Sequence, residues 1–174
     1  MVAGREYKIP FVGLKEGLHH FNYELDASFF RQFPDSLIQD CRLFADISFE
    51  KKSRLFILNF DFSGVVATSC DRCGEDFDLP IHGTHTLYVK LTEPEGDEEE
   101  DIDVVWLDEH AAEVDLNPWL YEYAHLTMPY SKIHPDLPDG SPGCDPSVLA
   151  RLGYKKEESE ATDPRWDKLK NLNK

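Results

Sequence analysis

The chain has 174 residues, 41% of them hydrophobic, and a net charge of −16. That length suits one domain and a tail, with enough apolar residues for a packed core. No apolar run approaches the roughly 18 residues that span a membrane, and the charged start MVAGREYKIPFVGLKEG lacks the apolar stretch of a secretory signal. The expectation is a cytoplasmic protein with reduced thiols and no membrane partner.

The first ninety residues read mostly as strands. GLHHFNYELD places His19, Phe21, Tyr23 and Leu25 on one face. CRLFADISFE alternates Leu43, Ala45, Ile47 and Phe49 against mostly polar neighbours. RLFILNFDFSG does the same with Phe56, Leu58, Phe60 and Phe62, and HTLYVKL with His85, Leu87, Val89 and Leu91. Period-two patterns of aromatic and aliphatic residues mark half-buried strands. Between them DASFFRQFP reads as a short helix capped by Asp26 and stopped before Pro34.

Charge then dominates. From Glu93 to Glu122 there are thirteen acids and no Lys or Arg, which leaves only −3 on the rest of the chain. EPEGDEEED has little to bury and reads as a mobile acidic loop over 93–103. IDVVWL is a short strand. NPWLYEYAHLTMP is the clearest helix, with Asn117 as its cap and Pro118 at the first helical position. Its apolar face holds Trp119, Leu120, Tyr123, Ala124 and Met128. HPDLPDGSPGC is an irregular loop. Asp145 and Pro146 start another helix that Gly153 ends. Residues 153–174 read as a flexible tail with a short helix in DPRWDKLKNL, behind a single β-rich domain over 1–152. The fold class expected is α+β: an antiparallel β-rich sheet or partly open barrel with a few short helices.

The chemistry lies in SCDRCGEDF, where Cys70 and Cys73 stand three apart. A redox pair sits where a strand runs into a helix, whose N-terminus lowers a thiol pKa. Here both flanks are strand-like and two acids follow, so a redox role is weak. A strand–CxxC-Gly–strand outline fits a zinc-knuckle-like turn, with Gly74 free to take positive φ. A closed zinc site takes four nitrogen or sulfur ligands, and Cys41, Cys144 and seven histidines are available. Cys41 starts a strand and reads as a small buried apolar group. Cys144 and His134 lie in a loop that cannot build its own core, and a metal would order it. Bare reduced thiols on a turn and a solvated His134 are the alternative. His19, His20, His82, His85, His110 and His125 are scattered and read as surface or packing groups.

Three blocks together resemble the YceD family, the large ribosomal RNA subunit accumulation proteins. CDRCGEDF is similar to the family's Cys-x-Arg-Cys block, with Arg72 in place. EVDLNPWLYEYAHLTMPYSKIH, followed by Cys144, resembles its Asp-Leu, helix, Leu-x-x-Pro, His/Cys, Cys block, and DPRWDKLKNL its closing segment. The resemblance implies Cys70, Cys73, His134 and Cys144 as one metal set holding structural zinc. The position matching His134 is Cys in some members and His in others, two residues that share little beyond ligating metal. Tyr123 stands where the family carries an acid, with Glu122 adjacent.

The function implied is ribosome biogenesis: accumulation or processing of large-subunit ribosomal RNA, without catalysis. It would proceed by binding a ribosomal protein, an assembly factor or the ribosomal RNA itself. The acidic stretch suits a basic protein partner, and Arg165, Trp166, Lys168 and Lys170 in the tail would be the RNA contact. The competing expectation is a zinc-dependent hydrolase or nuclease acting on ribosomal RNA precursors.

Overall fold

A computed structural model describes residues 7–91 and 104–153. The expected acidic loop, the tail helix and the four RNA-contact residues of the tail lie outside the described residues. In chain order the elements are β1 (Lys8–Pro10), β2 (Gly17–Asp26), α1 (Ala27–Phe30), β3 (Cys41–Lys51), β4 (Leu55–Ser69), β5 (Asp76–Lys90), β6 (Val104–Trp106), β7 (Glu113–Asp115), α2 (Asn117–Thr127) and α3 (Pro146–Arg151). Two compact units divide the chain at Ile133 and His134.

The first unit is built on a sheet ordered β2-β3-β4-β5-β6. β2 through β5 pair antiparallel, whereas β6 joins β5 in parallel through Val104–Trp106. The sheet is thus mixed at one edge. Among the described residues it is open, with β2 and β6 at its ends. The alternation read from sequence sets its inner face: Leu43, Ala45, Ile47, Phe49, Phe56, Leu58, Phe60 and Phe62 are all buried, as are Leu87 and Val89. Phe29 and Phe30 of α1 and Leu120, Tyr123 and Ala124 of α2 complete the same core.

Two short strands escaped the sequence reading. β1 pairs antiparallel with β7, and three residues are too few to display a period. The cap of α2 also differs from expectation. Leu116, not Asn117, occupies the N-cap, and Asp115 Oδ1 accepts from the Asn117 backbone N–H at 3.0 Å and its side-chain amide at 2.7 Å. Asp26 caps α1 as expected, accepting from Ser28 N–H at 2.7 Å, but that helix is a single turn.

β4 and β5 are longer than their apolar patterns, each 15 residues, and pair without a break from Leu55↔Lys90 to Ser69↔Asp76. β3 stops at Cys41, opposite Val66. The β4–β5 ladder therefore runs on past β3 as a two-stranded arm, and the arm's turn carries Cys70 and Cys73. At its base Gly64 has φ +143, and a Cβ there would lie 2.2 Å from the Arg42 carbonyl oxygen. Only glycine fits that crossing.

The second unit is described over His134–Gly153. Its first part is a closed loop: Leu137 N–H donates to Ser141 C=O at 2.7 Å, and Asp136 bridges Pro142. α3 follows, capped by Asp145, which accepts from Ser147 N–H at 2.6 Å, and closed by Gly153 at φ +69.

Candidate metal centre

The turn at the arm's end is held by its own backbone. Gly74 N–H donates to Cys70 C=O at 2.8 Å, and Cys70 N–H to Glu75 C=O at 2.8 Å. Gly74 takes φ +79, the positive φ that glycine permits there. Arg72 N–H donates to Cys70 Sγ at 3.4 Å. An N–H aimed at a sulfur favours its charged form, the thiolate that ligates metal.

α2 leads the chain back toward this turn. Its C-terminal end rests on β5, where His85 Nε2 and Thr127 Oγ1 are 3.0 Å apart. Gly83 makes room for Thr127, since a Cβ there would sit 3.0 Å from the threonine methyl. Beyond Pro129 the irregular chain meets the arm: Asp71 N–H donates to Lys132 C=O at 2.7 Å, and Asp71 Oδ2 accepts from Lys132 N–H at 2.7 Å. Asp71 lies inside the Cys-x-x-Cys spacing and Lys132 lies two residues before His134.

In the second unit the ten-residue gap between His134 and Cys144 is folded up, not spanned. Gly143 is pressed against the segment it left: a Cβ on it would lie 2.5 Å from Pro135 C=O and 3.4 Å from the His134 Cβ. The loop thus returns Cys144 to the neighbourhood of His134.

The side chains of Cys70, Cys73, His134 and Cys144 lie close together, one ligand atom from each within 4.8 Å of the others, and could bind a metal ion. Cys70 and Cys144 are buried, at 3% and 4% exposure, while Cys73 and His134 are half-buried. The fit is chemical as well as spatial. Three thiols and one imidazole match the donors zinc takes in closed four-coordinate sites, and all four cysteines are free of disulfides.

The YceD family model, described as large ribosomal RNA subunit accumulation protein, matches residues 58–173. The chain belongs to the YceD family. A search of curated proteins and a search of solved structures each gave no match. All four clustered residues of this YceD chain fall inside the matched segment, as do the arm's turn and α2.

The remaining candidates fall elsewhere. Cys41 is outside the cluster, half-buried at the start of β3, and its thiol is pushed up to about 12 by burial and then by Asp26 and Asp40. Glu122 is exposed on α2, whereas Tyr123 is buried and stacks on His85 with ring centroids 4.7 Å apart. His125 does more than sequence suggested: its Nδ1 faces Tyr121 C=O at 2.8 Å, and its Nε2 accepts from Leu37 N–H at 3.3 Å. Sequence reasoning passed over Asp71, Lys132 and Gly143. The one available signal was Asp71's place between two cysteines; pairing to a backbone sixty-one positions away leaves no local pattern.

No helix among the described residues is long and apolar enough to cross a membrane.

Proposed function

We propose that this chain is a non-enzymatic ribosome-biogenesis factor, cytoplasmic, that sustains accumulation of large-subunit ribosomal RNA by binding a ribosomal protein, an assembly factor or the RNA. The observation that carries this is the family match over 58–173, the same segment that contains all four clustered ligand residues. In this reading Cys70, Cys73, His134 and Cys144 hold one structural zinc ion. Zinc supplies folding free energy when bound, on the order of 10 kcal/mol for structural sites. Three thiolates and an imidazole fill a tetrahedral shell, which leaves no position for a reacting water. That donor set favours a scaffold over the hydrolase alternative.

Charge supports a basic protein as the partner. At −16 the chain repels phosphates, and nucleic-acid affinity depends on Lys and Arg displacing counterions. A basic ribosomal protein is the complementary surface.

The test is genetic and chemical together. Depleting the protein is expected to lower the ratio of large- to small-subunit ribosomal RNA. Wild type restores the ratio; Cys144→Ser, with its zinc per chain measured by elemental analysis, does not. An unchanged ratio on depletion would overturn the proposal. So would turnover of precursor RNA by the purified protein, lost in Cys73→Ser.

A further inference from the structure

β2 ends the sheet, and among the described residues nothing pairs with its outer edge. It runs in one-to-one register with β3 over all ten residues, without a bulge. Among the described residues, no backbone group of Leu18–Glu24 bonds to any backbone outside that ladder. A free strand edge is a template for another strand, and proteins usually blunt it with Lys, Pro, a bulge or short length. The opposite edge, β6, is three residues long. GLHHFNYELD has no Lys, Arg or Pro, and is ten residues long.

The side chains along this edge look prepared for a neighbour. His19, Phe21 and Tyr23 point to the core side but are only half-buried, whereas their counterparts Ala45, Ile47 and Phe49 on β3 are fully buried. Leu18 on the open side is 59% exposed. Charge restricts what can dock. β2 carries Glu24 and Asp26 and no Lys or Arg, and Asp46 stands opposite Asn22 on the neighbouring strand and bonds to its amide. A second copy would bring the same acids, Glu24 and Asp46, to the seam.

We propose that the outer edge of β2 is a docking strand for an extended, basic segment of a partner protein, which adds to the sheet as a sixth strand. Backbone hydrogen bonds supply affinity in such strand addition, and alternate side chains supply selectivity. The fitting segment alternates apolar residues, which cover Phe21 and Tyr23, with Lys or Arg, which face Glu24 and Asp46. This deepens the reading of a basic ribosomal-protein partner and rests on it, while naming a surface distinct from the acidic 93–103 stretch.

The test uses the full zinc-loaded chain and a blocked ten-residue peptide of alternating valine and lysine, with a second peptide N-methylated at alternate backbone nitrogens. Amide hydrogen exchange over 17–26 is expected to slow at least tenfold with the first peptide. Binding should weaken at least tenfold for the N-methylated peptide and for the Glu24→Lys chain. Equal binding of both peptides, or protection confined to other segments, would overturn the proposal. So would sedimentation as a dimer with 17–26 already protected, which would place a second copy on the edge. The two readings fail separately. If wild type but not Cys144→Ser rescues ribosomal RNA while the peptide leaves 17–26 unprotected, the edge is wrong and the accumulation role stands. If 17–26 is protected but depletion leaves ribosomal RNA unchanged, the edge stands with a basic partner outside the ribosome.

Discussion

Asp71 and Lys132 exchange two hydrogen bonds, each 2.7 Å, across sixty-one residues of chain: the Asp71 N–H to the Lys132 carbonyl, and the Lys132 N–H to the Asp71 carboxylate. The pair ties the inside of the Cys-x-x-Cys turn to the residue two places before His134.

Asp71→Ala removes the carboxylate acceptor and leaves its partner N–H to water. Groups that orient ligands without touching metal typically contribute about 10–100-fold in affinity. Zinc affinity, measured by competition with a chromophoric chelator, is expected to fall about tenfold or more. Asp71→Asn retains a side-chain carbonyl and should keep most of the affinity. Wild-type affinity in Asp71→Ala would show that the pair does not position the site.

Cys144→Ser, or chelation of wild type, should act unevenly along the chain. The sheet core of Phe56, Leu58, Phe60 and Phe62 is closed by α1 and α2, so strand content by circular dichroism should survive. His134–Gly153 has no sizeable core and should become sensitive to protease. Acid should mimic the variant: thiolates and imidazole must be deprotonated to ligate, so zinc is released as pH falls, and elemental analysis after dialysis at pH 5 should find less than at pH 7.

The strands and the residues of the Cys/His cluster were legible in sequence for different reasons. β2 and β3 followed from strict alternation over GLHHFNYELD and CRLFADISFE, because each buries a single face. The outer ends of β4 and β5, around Ala67 and Asp78, lie past β3 and bury little, so the sequence shows them as strand-like flanks of the Cys70/Cys73 turn and not as the far ends of two fifteen-residue strands. β1 and β7 had no period to show. Cys70, Cys73, His134 and Cys144 stood out because few residues do what Cys and His do. What brings them together was not: the Gly143 approach to Pro135 and the Asp71–Lys132 bonds are tertiary facts between residues whose neighbours give no hint of them.

Gly64→Ala tests the base of the arm. Its φ of +143 disfavours any side chain, and the new Cβ would overlap the Arg42 carbonyl at 2.2 Å. Strain of about 1–3 kcal/mol and overpacking of about 1–3 kcal/mol point to a loss near 3 kcal/mol, read from the urea midpoint. Gly13→Ala is the control, because a Cβ there would meet nothing within 4 Å and its φ is not in the left-handed region. It should shift stability by no more than about 0.5 kcal/mol. Equal midpoints for the two variants would refute the crossing.

Thiol reactivity separates Cys41 from the other three. Its pKa of about 12 means that the folded chain holds this proton well above the ordinary thiol range. Alkylation requires the thiolate, so at pH 8 Cys41 in the folded protein should react at least about a hundredfold more slowly than in urea, where its pKa returns to about 8.5. Stability follows the same sign. The folded state binds the proton more tightly, so the contribution is complete below the unfolded pKa and is lost as pH rises from there toward 12. With zinc bound, Cys70, Cys73 and Cys144 should also be protected. After chelation, half-exposed Cys73 is expected to react first, with buried Cys70 and Cys144 following as the loop opens. Isotope-coded alkylation with peptide mass spectrometry gives each rate. Cys41 reacting as fast in the folded protein as in urea would show that its surroundings do not hold the proton, and chelation that leaves all three cluster thiols unreactive would show that zinc was not what shielded them.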